Sequence, residues 1–146
     1  MVTGPVLLYG GGMHYHCYVW VGQGSDQGRE GERRPGHPEF GASGLPPMRT
    51  CDWLLKPGGV IDFSAEGVGE VVEWMGRKYR VIEPSLLHPA DEGRIGLDSR
   101  LEEAERSLAG GVDVQWGFWL MAGRYSTIAA ICCSPNRHAR YPCPAS

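Results

Sequence analysis

The sequence predicts an α+β domain: a mostly antiparallel sheet of four to five strands with two helices packed on one face, in the order β-loop-α-β-α-β-β. Three observations carry this. Residues 14–21 and 112–133 alternate in the two-residue period of strands, two stretches between them repeat apolar residues at helical spacing, and the chain is rich in turn residues, with 22 Gly and 11 Pro. At 146 residues the chain suits a single domain with one core.

The first strand, His14 to Val21, sorts its side chains into two sets. Tyr15, Cys17, Val19 and Val21 share one side, and His14, His16, Tyr18 and Trp20 the other. From Gly22 to Pro47 a long loop dense in Gly, Pro and charge follows, with Phe40 as its one aromatic, and it reads as mobile surface. Pro57-Gly58 marks a reversal inside CDWLLKPGGVIDF, a short hairpin or sharp turn. Ser64 is placed to cap a helix over about 65–77, because Val68, Val71, Val72 and Met75 recur at i, i+3, i+4 and i+7.

Tyr79 to Ile82 reads as a short strand stopped by Glu83-Pro84, and 86–96 as irregular. A second helix begins at the Ser99/Glu102 capping-box spacing, carries Leu97, Leu101, Ala104 and Leu108 on one stripe, and ends at Gly110-Gly111. Val112 to Met121 and Tyr125 to Cys133 form a hairpin around Ala122-Gly123-Arg124. In it Trp116, Phe118 and Leu120 share one face and Trp119 and Met121 the other, while the second strand is apolar enough for the middle of the sheet. Residues 134–146 read as a coil tail. Residues 1–12 read as a non-native or flexible leader, because Gly10-Gly11-Gly12 before Met13 resembles a translated ribosome-binding site.

Composition narrows the function. A net charge of -3 and a pI near 5.9 give no overall positive field for a polyanion. No stretch is apolar enough to span a membrane, and no secretory signal is visible. Five cysteines, two adjacent, without an export signal point to reduced thiols in the cytoplasm.

Gly22-Gln23-Gly24-Ser25-Asp26-Gln27-Gly28 lacks the third glycine of a dinucleotide loop at 27 and the helix that must follow it. Glu66, Glu70 and Glu73 line one helix face as a solvated surface. With no assembled catalytic motif, the leading expectation is a non-catalytic module without a cofactor, binding a protein partner or itself through an aromatic sheet surface made by Trp20, Trp116, Phe118 and Trp119. The alternative is a zinc or thiol enzyme centred on His14 and His16 with Cys132 or Cys133, to which His138 or Cys143 could add a ligand. A third class is single-stranded nucleic-acid binding, stacking bases on Tyr18 and Trp20 beside Arg29, Arg33, Arg34, Arg137, His138 and Arg140. The acidic balance weighs against it.

Overall fold

The computed structural model describes residues 13–145. The expected leader, residues 1–12, lies outside them. Four strands, β1 (His14–Gln23), β2 (Phe63–Ala65), β3 (Val114–Trp119) and β4 (Arg124–Cys133), form one antiparallel sheet in the order β2-β1-β4-β3. Three α-helices among the described residues, α1 (Val68–Ile82), α2 (Pro89–Ile95) and α3 (Leu97–Ala109), complete an α+β fold. None is long and apolar enough to cross a membrane.

β4 lies between its hairpin partner and β1, and its ten residues pair along the full length of β1 from His14↔Cys133 to Gln23↔Arg124. Being covered on both faces, it is apolar from Ile128 to Cys133 and buried throughout that run. The alternation of β1 is observed as read. Tyr15 and Cys17 enter the core under the helices with Val71, Trp74, Met75, Leu108, Trp116 and Phe118, while Tyr18 enters a second core on the opposite face with Trp53, Ala129, Ile131 and Cys133.

The first helix differs from its expected bounds at both ends. It starts at Val68 after Gly67, and Ser64 lies in β2, where it pairs with His16 of β1. It also runs through Tyr79–Ile82, the expected strand. Tyr79 and Ile82 extend the stripe of Val71 and Met75 onto the sheet, so packing overrides their β propensity. Residues 89–95, expected to be irregular, form α2, and α3 begins at Leu97 after Gly96 (φ 85°) with no side-chain cap from Ser99. Its end matches expectation: Gly111 (φ 81°) allows the Val112 amide to reach the Ser107 carbonyl at 2.8 Å. The stretch after Pro57 is a 3-10 turn leading to β2, which pairs with β1 and forms no hairpin with its own flank.

The loop expected to be mobile is folded against the second face. Two internal cations organise it. Arg33 donates to the Pro46 and Gln27 carbonyls at 2.7 Å each, and Lys56, 2% exposed, donates to the Phe40 and Ser43 carbonyls at 2.9 and 2.7 Å while lying 4.1 Å over the Phe40 ring. A Gly/Pro-rich chain has few apolar side chains to bury, and here its own carbonyls are the groups that the core's cations hold. The second face is therefore covered by this loop, by the 3-10 segment Thr50–Leu55, whose Trp53 stacks on Tyr18 at 4.7 Å, and by Tyr141 and Cys143 of the tail.

Candidate metal centre

The site grows from the edge where β1, β2 and β4 meet. Strand periodicity puts His14 and His16 on the second face, and the antiparallel register sets Cys133 directly across from His14. Cys132, one residue earlier, pairs with Tyr15 and faces the opposite core with 0% exposure. Register thus selects one of the two adjacent thiols.

The fourth member arrives from the tail. The chain turns at Ser134 (φ 50°), and Asn136 fixes the return: its Nδ2 donates to the Asp113 carboxylate and to the Cys132 carbonyl at 2.9 Å, while its Oδ1 accepts from the His138 and Ala139 amides. Tyr141 then donates its hydroxyl to Asp52 Oδ1 at 2.6 Å, which brings Cys143 back over the start of β1. Cys143 Sγ lies 3.3 Å from His16 Nε2 and 3.5 Å from His14 Nε2. Together the ligand atoms of His14, His16, Cys133 and Cys143 lie within 4.8 Å of one another.

Bond lengths of about 2.0–2.1 Å to nitrogen and 2.3 Å to sulfur place ligands of a tetrahedral zinc about 3.3–3.8 Å apart. Both nitrogen-sulfur distances fall in that interval. A thiol has one proton, which can serve only one of two imidazole nitrogens; a cation placed among the four atoms serves them all.

The surroundings suit metal ligands. His16 Nδ1 is 2.6 Å from Ser64 Oγ, and donation of Nδ1–H to that oxygen leaves Nε2 with its lone pair toward the sulfurs. Burial, reinforced by His14, lowers the His16 imidazole to about 4, so it is neutral near pH 7. Burial also lowers His14, with Glu66 acting in the opposite direction. Burial, reinforced by Cys143, raises the Cys133 thiol to about 12, so without a cation that thiol is uncharged. Metal coordination reverses this by stabilising the thiolate directly. None of the five cysteines is joined in a disulfide. Among the described residues, the Tyr18 hydroxyl is a buried side-chain oxygen lacking a hydrogen-bond partner, and Cys133 and Cys143 are among the groups whose charge would raise its pKa.

The other expected residues lie elsewhere. His138 is exposed and lines a shallow hollow with Arg49, Thr50, Cys51 and Asp113, away from the ligand group. Of the four aromatics expected at a partner surface, Trp116 and Phe118 are core residues at 7% and 3% exposure, Trp20 is half-buried, and Trp119 at 46% is the exposed one. That correction follows from the helices covering the face that Trp116 and Phe118 occupy. For base stacking, Tyr18 is fully buried under Trp53, and Arg29 and Arg34 are paired with Asp26, Glu32 and Glu30. Cys143 was one of several tail candidates; its place depends on the Asn136 and Tyr141 tethers, which no local pattern announces.

The fold and site describe an α+β domain with a two-histidine, two-cysteine cluster. Comparison with protein-family models, curated proteins and solved structures finds no match for this chain.

Proposed function

We propose that this protein binds a single zinc ion through His14, His16, Cys133 and Cys143, and that the ion has a structural role. The observation that carries the reading is the convergence of four ligand atoms, from β1, β4 and the tail, within 4.8 Å. Two imidazoles and two thiolates suit a borderline-soft tetrahedral cation, and four protein donors leave no position for a reacting water. The ion would fasten the tail to the sheet, with Ser64 orienting His16 and the Tyr18 hydroxyl available to donate to a bound thiolate. Thiols kept available for metal fit a reducing compartment such as the cytoplasm.

Elemental analysis of protein purified under reducing conditions, with native mass spectrometry, tests this. One zinc per chain is expected, removed by chelator and abolished in His16→Ala and Cys133→Ser. Cobalt substitution should give the intense visible bands of a tetrahedral thiolate site. Wild-type protein that folds, yet takes up neither metal, ends the proposal.

A second reading, association with a protein partner or a second copy, is favoured by the edge strand β3. There Trp119 (46% exposed), Met121 (52%) and Leu87 (47%) adjoin, with the Leu87 amide bonded to the Trp119 carbonyl. A concentration-independent monomer, with Trp119→Ser unchanged in sedimentation, would argue against it.

A further inference from the structure

The ligand cluster contains a feature that metal holding alone does not require: one sulfur lies on a strand and is fully buried, the other lies on the irregular tail and is accessible. Cys133 sits at the end of β4 at 0% exposure, paired with His14 of β1. Cys143 is half-buried in an irregular tail. Their sulfurs are members of one group of ligand atoms within 4.8 Å of one another, whereas a disulfide needs about 2.05 Å. A shift of under about 3 Å in the tail therefore closes the gap without moving the sheet.

We propose that Cys133 and Cys143 form a peroxide-sensitive pair, whose oxidation to a disulfide expels the metal. This rests on the metal-site reading above. Zinc holds both sulfurs as thiolates, and a thiolate is the nucleophile that peroxide oxidises. The more accessible Cys143 thiolate attacks one peroxide oxygen and breaks the O–O bond; the sulfur becomes sulfenic acid, and the departing hydroxide takes a proton from solvent to leave as water. The Cys133 thiolate then attacks the Cys143 sulfur, forming the S–S bond and displacing hydroxide, which is protonated to a second water. Two thiolates, one hydrogen peroxide and two protons thus give one disulfide and two waters, a two-electron oxidation of the sulfur pair. Both anionic ligands are lost, and the two imidazoles that remain do not hold the ion. A dithiol reductant reverses the change.

Selectivity comes from burial. Cys17 and Cys132 are fully buried on the helix side of the sheet, and Cys51 is 4% exposed. Oxidation should start at the tail. The tail stays fastened in both states, by the ion when reduced and by the S–S bond when oxidised. What changes is whether zinc is held or delivered to solution.

The experiment uses the full-length, zinc-loaded chain, titrated with hydrogen peroxide in the presence of a chromogenic zinc chelator, followed by peptide mapping. One zinc released per chain, in step with loss of two thiols and appearance of a Cys133–Cys143 cross-linked peptide, is the expected result. Dithiol reductant and added zinc should restore the starting state. Cys143→His, which keeps four ligands, should bind zinc and release it at least tenfold more slowly. Zinc retained by the wild type under excess peroxide overturns the switch alone and leaves the metal site standing. So does release with Cys143 overoxidised and no cross-link. A wild type that carries no zinc before peroxide is added overturns the metal site and the switch together.

Discussion

Cys132 and Cys133 have the same chemistry, adjacent positions and 0% exposure, yet one lies among the residues beneath the helices and the other faces two imidazoles. A one-residue slip of β4 against β1 would exchange them. The same logic fixes His16, whose neutral form the fold favours. Its folded value of about 4 lies below the ordinary 6.5, so the unfolded chain takes up the proton first as pH falls. Stability of the zinc-free protein should therefore decline between pH 6.5 and 4, by up to about 3 kcal/mol from this group. Urea unfolding in chelator across that range checks it, and His16→Gln should flatten the decline. Ser64→Ala should weaken zinc about 10- to 100-fold by freeing the imidazole's orientation, measurable by competition with a chelator of known affinity. At this scale the histidine pair was legible in the sequence, because a strand puts i and i+2 on one face. The choice of thiol was not, because it depends on pairing between distant segments.

Elements were read well where local pattern and packing agree. The hairpin of β3 and β4 and the alternation of β1 follow directly from side-chain period. The end of α1 did not, because Tyr79, Val81 and Ile82 are β-favouring types. Their helical identity rests on Tyr79 and Ile82 meeting the core while Val81 is left 75% exposed. Met75, 0% exposed in the middle of that contact, should cost about 2–5 kcal/mol when truncated to Ala; Val81→Ala should change little, and thermal unfolding of the pair separates the two. Gly117 shows the same dependence across strands. A Cβ there would lie 2.0 Å from the Tyr125 hydroxyl, so Gly117→Ala must displace that ring.

Across the whole molecule, the sheet is a middle layer with helices on one side and irregular chain on the other. The irregular layer was the least legible part. Its order comes from Arg33 and Lys56 holding carbonyls, from Trp53 seated on Tyr18, and from the tail's tethers, none of which has a period. Lys56→Ala leaves the Phe40 and Ser43 carbonyls unpaired and should cost about 2 kcal/mol or more, with faster amide exchange confined largely to residues 24–47. Zinc at about 100 times its dissociation constant should add about 2.7 kcal/mol, or roughly 5–10 °C in Tm. Scanning calorimetry with and without chelator reads this directly, and Cys143→Ser should remove most of the difference.

The pairing of residues 14–23 with residues 124–133 also has a temporal side. During synthesis at about 5–20 residues per second, β1 waits on the order of ten seconds for its main partner. In that interval Tyr15, Cys17, Tyr18 and Val19 have β2, the helices and Trp53 to shelter against, but not the strand that pairs along the whole of β1. Until β4 emerges, β1 lacks its longest pairing, and truncation within β4 should lower soluble yield. Co-expression of a holdase should rescue a chain cut within β4 less than one cut after it, because only the second can complete the sheet.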